Sequence, residues 1–202
     1  MKNDISAIGN ALVDTVFKVE HSLISELGLE IDQMTLSSAE EHAPIIKRLI
    51  SSGAERVSDC GGSATNSLIA AASFGATCFH NCKVSDDGDG ARYLQSLKEA
   101  GVGHKGIIAP ANSMPTGKCL ILVTPDAKRT MTTALNVSSF MDENDLDLDE
   151  IANSKIFYIE GYMVTSDENY EVTLKALNHL KSFPGVKIAL SLSDPGIVMG
   201  FK

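Results

Sequence analysis

The residues with the most chemical content lie in Asp59-Cys60-Gly61-Gly62-Ser63-Ala64-Thr65-Asn66, which opens a run of small residues from Ser67 to Ala76. Two adjacent glycines, Gly61 and Gly62, let the backbone approach a ligand with no Cβ in the way. Asn66 falls one turn into a helix whose free N–H groups point the same way. Such a place can hold a hydroxylated small molecule; it can also be a tight strand-to-helix turn with a small packing face. A second polar cluster, Gly9-Asn10-Ala11-Leu12-Val13-Asp14, follows the first apolar strand. Asp14 is the strongest binding candidate, because a carboxylate that accepts from two neighbouring hydroxyls makes charge-assisted hydrogen bonds, about twice as strong as neutral ones. Asn10, four residues earlier, can donate and accept at the same ligand. The plainer readings are a turn or cap residue for Asp14 and a helix-start residue for Asn66.

Composition limits what such a site can serve. The chain has 202 residues, 44% of them hydrophobic, enough for one sizeable domain with a core. A formal charge of −9 leaves no basic stripe to displace counterions, which argues against a nucleic-acid partner. No run of about eighteen apolar residues is present, so no membrane span is expected. Four cysteines, Cys60, Cys78, Cys82 and Cys119, could pair, but the N-terminus does not read as a signal peptide and a reducing cytoplasmic location is expected. Cys78-Phe79-His80-Asn81-Cys82 sits in a strand pattern with no second Cys/His pair to complete a tetrahedral set, so these thiols read as structural and no metal ligand is assigned.

The elements that must position these groups alternate between strand and helix, which predicts an α/β fold with a mainly parallel sheet. Ile5 to Ile8 reads as the first strand. Ser38 with Glu41 forms a capping box for a helix that buries Ile45, Ile46, Leu49 and Ile50 and ends at Gly53. Val57 lies in a short strand feeding the glycine pair. The helix from about Gly62 to Phe74 presents Ala64, Ser67, Ala71 and Gly75 as a small face. Thr77 to Val84 reads as one strand, followed by an acidic turn and a helix to Ala100. Ile156 to Ile159 is a further strand. Asp167 to Lys181 reads as an amphipathic helix with Tyr170, Leu174, Leu177 and Leu180 on one side. Val186 to Leu192 is the last strand, and Pro195 and Gly196 end the pattern. Two stretches break the rhythm: Leu12 to Val19 with Gln33 to Leu36, around a short helix from Ser22 to Leu27, and Cys119 to Thr124 with Arg129 to Thr133, joined by a Pro125-Asp126-Ala127-Lys128 turn.

The glycine pair with its small-residue helix and the Gly9 to Asp14 cluster together resemble the sugar-binding half of the ribokinase-like (PfkB) carbohydrate kinase family, including its adenosine-kinase-like members. The resemblance runs in order over nearly the whole chain. It implies a three-layer sandwich, with lid segments at about 12–36 and 104–135 closing a small β-sheet over the substrate and excluding water. It implies ATP-dependent phosphorylation of a hydroxyl on a sugar or nucleoside, with Mg2+ bridging phosphates. Asn10, Asp14, Gly61, Gly62 and Asn66 would line the acceptor pocket, and Arg129 would stand near the phosphate, although it also reads as a charge on an edge strand. Asp32-Gln33-Met34 and Arg129-Thr130-Met131 favour a nucleoside, with Gln33 facing a base edge or simply exposed. The family's later Asp-Thr-x-Gly-Ala-Gly-Asp signature, with its catalytic base, and the Asn-x-x-Glu element are not found in these 202 residues. The chain is therefore expected to hold the acceptor-binding half of an incomplete domain, inactive alone and able to dimerise through the lid strands. A non-catalytic sugar- or nucleoside-binding module is the alternative. A Rossmann-type dinucleotide site is disfavoured because no Gly-x-Gly-x-x-Gly follows a strand.

Overall fold

Strand and helix alternate along most of the computed structural model, which describes residues 2–105, 107–110 and 114–201. Along the chain, β1 (Asn3–Ile8) is followed by β2 (Leu12–Lys18), α1 (His21–Glu26), β3 (Met34–Leu36), α2 (Ala39–Ser51), β4 (Arg56–Gly61) and α3 (Ser63–Ser73). Next come β5 (Cys78–Asn81), β6 (Lys83–Ser85), α4 (Gly88–Glu99), β7 (Val102–His104) and β8 (Ile107–Ala109). The last part holds β9 (Gly117–Val123), β10 (Arg129–Ala134), α5 (Leu148–Ala152), β11 (Ser154–Ile159), α6 (Asp167–Leu180), β12 (Lys187–Leu190) and α7 (Pro195–Gly200).

The main sheet has the order β12-β11-β1-β5-β7 and every neighbouring pair is parallel. Parallel neighbours need crossovers, and here the crossovers put helices on both faces. Alternation along the strands shows which helix covers which face. Ile5, Ala7 and Tyr158 pack with Leu68 of α3 and Tyr93 and Leu97 of α4. Ile8, Phe157 and Ile159 pack with Ile151 of α5 and Val172 and Ala176 of α6. The result is a three-layer α/β sandwich. Each fully buried large side chain, such as Leu97 or Phe157, contributes about 1.5–3 kcal/mol.

A second, mixed sheet has the order β3-β10-β9-β2-β4. One of its faces, with Phe17, Leu120 and Leu122, is covered by α1 and α2 through Leu23, Ile24 and Leu49. The opposite face presents Leu12, Cys119 and Ile121, with Val16 and Met131 beside them. The capping box that starts α2 is formed: the Glu41 N–H donates to Ser38 Oγ at 3.2 Å and the Ser38 N–H to Glu41 Oε2 at 2.7 Å. Of the expected 104–135 segment, residues 106 and 111–113 lie outside the described residues.

Several local expectations need correction. β4 belongs to the second sheet and not to the main one, running antiparallel to β2 from Leu12 opposite Gly61 to Phe17 opposite Arg56. The stretch from Thr77 to Val84 is two strands: β5 joins the main sheet, while β6 pairs with β8 in a separate two-stranded sheet. Buried Cys82 lies between them, so the apolar pattern continues although the sheet does not. In α3 the buried face is Ala64, Thr65 and Leu68, and Ser67 is exposed. In α6 the buried face is Asn169, Val172, Thr173, Ala176 and Leu180, while Tyr170 is 46% exposed. Two polar residues face inward, and this moves the stripe away from the leucine phase. Finally, Pro195 and Gly196 begin α7 instead of ending the pattern: Asp194 accepts from the Gly196 N–H at 2.7 Å, with Pro195 in the first turn.

Candidate functional site

Carboxyl ends of parallel strands are where α/β folds place their ligands. At the end of β1 the chain squeezes past α3: a Cβ added to Gly9 would lie 2.5 Å from the Ala64 Cβ and 2.8 Å from Glu160 Oε2. Asn10 follows and is fully buried. The chain then crosses into β2, where Leu12, Asp14 and Val16 alternate onto the open face of the second sheet. Asp14 stands opposite Asp59 of β4 and beside Cys119 of β9.

The two glycines have separate physical reasons. A Cβ on Gly61 would overlap the Asp14 carboxyl group, so only glycine lets that carboxylate lie across β4. Gly62 has φ +98°, a conformation L side chains rarely adopt, and an added Cβ would sit 2.5 Å from the Asn10 carbonyl oxygen. The pair therefore brings the start of α3 against both Asp14 and Asn10.

Between the open face of the second sheet, the start of α3 and the turn after β11 lies a cleft of about 190 Å³. Its polar wall carries Asp14, Gly62, Ser63, Asn66, Arg129 and Glu160, and its apolar wall includes Leu12, Met34, Leu36, Ile121 and Met131. Burial pushes the Asp14 carboxyl up to about 6; nearby Arg129 pulls it down and Asp59 pushes it up further. Among the described residues none donates a hydrogen bond to the Asp14 side chain, which leaves the carboxyl open to a donor from the cleft.

Glu160 behaves differently. It follows β11 and is buried, with Oε1 accepting from the Asn10 side-chain amide at 3.1 Å and the Asn10 N–H at 3.4 Å. Its Oε2 accepts from the Ala64 N–H at 2.9 Å, in the first turn of α3. Burial raises its pKa, and the Ala64 and Asn10 donors oppose that rise. Asn10 in turn accepts from Asn169 Nδ2 at 3.1 Å, and Asn169 also donates to the Ser138 carbonyl and accepts from the Met141 N–H. This chain of hydrogen bonds fixes the floor of the cleft. Tyr162, also on the wall, has its phenol pushed up to about 12, chiefly by burial.

The structure thus brings four of the sequence candidates, Asp14, Gly62, Asn66 and Arg129, to one cleft. Gly61 lies under Asp14. Asn10 sits behind the floor and holds Glu160. Gln33 is exposed and off the wall; its carbonyl accepts the Met131 N–H at 2.8 Å. Glu160 and Tyr162 were not among the candidates. The one sequence signal for Glu160 is an acidic residue directly after an apolar parallel strand and before a glycine.

Comparison with known proteins agrees with this architecture. The pfkB family carbohydrate kinase model matches residues 31–198. The chain is similar to the crystal structure of an adenosine kinase from Sinorhizobium meliloti, with 28% identity and a TM-score of 0.88 over 100% of this chain and 60% of that one. A probable sugar kinase protein from Rhizobium etli CFN 42 is similar at 25% identity and a TM-score of 0.88, over 99% and 59%. The Anopheles gambiae adenosine kinase in complex with P1,P4-di(adenosine-5) tetraphosphate, at 23% identity and a TM-score of 0.83, shares the fold over 100% and 60%. The chain thus spans about three fifths of the length of these structures. No curated protein matches it in sequence. Among the described residues, no helix is long and apolar enough to cross a membrane. The match over residues 31–198 places this chain in the pfkB family of carbohydrate kinases.

Proposed function

We propose that the cleft binds the hydroxyl-bearing acceptor of an ATP-dependent sugar or nucleoside kinase, and that Asp14 is its anchor. The observation that carries this reading is a half-buried carboxylate without an internal donor, held over Gly61 and facing Gly62 and Asn66 across a cleft. Vicinal hydroxyls of a ribose are the natural donors to it. The apolar wall of Leu12, Met34, Leu36, Ile121 and Met131 suits the flat face of a nucleobase, which favours a nucleoside over a bare sugar. The second sheet acts as the lid over the acceptor, and Arg129, at its rim, meets the charge of the transferred phosphoryl group.

ATP is the phosphoryl donor that family membership implies. The 202 residues bind the acceptor but transfer no phosphate, because the anion-hole and base signature expected of the family is not within them. A positioned base alone contributes on the order of 10²–10⁴ in rate.

Calorimetric titration of adenosine and of ribose tests the reading. Adenosine should bind more tightly than ribose, and Asp14→Ala should weaken adenosine binding by about tenfold or more. Equal affinity in the Asp14→Ala chain would remove Asp14 as the anchor. Phosphate transfer from ATP by the short chain would overturn its assigned inactivity.

A further inference from the structure

On the other face of the second sheet, directly behind the cleft, lies a cavity of about 360 Å³ lined by Thr15, Ser58, Arg56, Arg92, Lys118 and Asp89, among others. β2 and β9 each serve both sites through alternation, and β4 adds Arg56 and Ser58 to this one. Asp14 and Cys119 turn into the cleft, whereas Thr15 and Lys118 turn into this cavity. Arg92 comes from the other side, on α4, which packs on the main sheet.

The charge balance here is unusual for this molecule. Three cations meet one carboxylate, in a chain whose net charge is −9. Lys118 Nζ pairs with Asp89 Oδ2 at 2.7 Å. Arg56 and Arg92 have no ion pair with any described residue, although acidic residues outnumber basic ones by 26 to 17. The hydroxyls of Thr15 and Ser58 lie on the same wall and hydrogen-bond each other at 3.0 Å, which leaves one O–H of the pair to donate outward. Two guanidinium forks with a lysine and one hydroxyl proton form a donor set that matches a tetrahedral oxyanion.

We propose that this cavity binds an oxyanion of the phosphate class, bridging Arg92 of α4 to Arg56 of β4 and Lys118 of β9. The occupant would tie the second sheet to the main sheet from behind, at the strands that carry Asp14. The binding claim is independent of what the cleft accepts.

Titration of inorganic phosphate into the whole chain, at ionic strength held constant with chloride, tests this. Saturable binding is expected, weakened about tenfold or more in Arg92→Gln and in Arg56→Gln, both exposed positions whose folding is checked by circular dichroism. Binding should persist in Asp14→Asn, which separates this cavity from the cleft. Glycerol 3-phosphate in the same series distinguishes the sources: tighter binding than phosphate identifies a phosphomonoester as the ligand, and weaker binding identifies free phosphate. Hydrogen exchange should slow in β4 when phosphate is bound. Absence of saturable binding, binding unchanged in both arginine variants, binding lost in Asp14→Asn, or β4 exchange unaffected by bound phosphate would overturn the proposal.

Discussion

The two walls of the cleft each carry a carboxylate, Glu160 buried and Asp14 half-buried, and the molecule treats them in opposite ways. On the strand-end wall, Glu160 takes three N–H donors from Asn10 and Ala64 and is closed off behind them. On the wall of the second sheet, Asp14 is raised to about 6 by burial and has no such donors. A buried charge with its hydrogen bonds satisfied is scaffold, while one left unsatisfied carries a standing cost that a ligand can relieve. On the proposed reading, the difference separates the group that builds the cleft from the group that holds the acceptor.

The comparison breaks most visibly if Glu160 is removed. Glu160→Ala leaves three buried donors without an acceptor at the junction of β1, α3 and β11, and should destabilise the chain by about 3 kcal/mol or more. Urea unfolding measures this, and an unchanged midpoint would mean that Glu160 is not scaffold. Asp14 should respond with the opposite sign. Its folded pKa of about 6 lies above the ordinary value of 3.8, so ionisation costs stability. The cost is absent below the ordinary value and complete above about 6. Asp14→Asn should therefore stabilise the chain near neutral pH by up to about 3 kcal/mol, and hardly at all in acid below about pH 4. Thermal unfolding across that window checks the sign, and loss of stability at neutral pH would contradict it. Acceptor affinity should follow the same ionisation in the wild-type chain, falling as pH drops through about 6.

The same contrast explains what could be read without coordinates. Signals contained within a few residues were legible: the Ser38–Glu41 capping box, the Pro125 to Lys128 turn of the β9–β10 hairpin, and the glycine pair at the start of α3. Asp14, Gly62 and Asn66 are polar or glycine residues in otherwise apolar or small-residue surroundings and stand out in the sequence, whereas Arg129, beside Lys128 in a polar turn, stands out only through the family resemblance. Glu160 does not stand out. Its partners Asn10 and Ala64 are 150 and 96 positions away, and only the pairing of β1 with β11 brings them together. The inward face of α6 was missed for a related reason. Asn169 is buried because it bonds to Asn10, a long-range polar demand that hydrophobic periodicity does not register. The break between β5 and β6 was hidden because buried residues run straight through it, His80, Asn81, Cys82 and Val84 among them, and which sheet each strand joins is decided by partners elsewhere.

A smaller perturbation tests whether Asp14 must lie where it does. Gly61→Ala places a methyl group over the Asp14 carboxyl, so the side chain must swing away or β4 must shift. The expected stability cost is about 1–3 kcal/mol, while acceptor binding should fall as far as it does in Asp14→Ala. Retained binding in Gly61→Ala would show that the carboxylate can serve from another position.

The smallest effect belongs to Arg129, and it sharpens the comparison where the others only test it. Arg129 lowers the Asp14 pKa, against the larger effect of burial. Its own guanidinium makes a weak contact to the Met131 sulfur at 4.0 Å. Arg129→Ala should leave folding stability within about 0.5 kcal/mol, as for most exposed substitutions. Well above pH 6 acceptor affinity should change little, because Asp14 is ionised with or without the guanidinium. The midpoint of the acid-side loss of binding should move to higher pH, because one influence favouring the carboxylate has gone. Titrating acceptor binding against pH in the two chains separates a guanidinium that tunes Asp14 from one that contacts the acceptor: the first moves the midpoint, whereas the second lowers affinity at every pH.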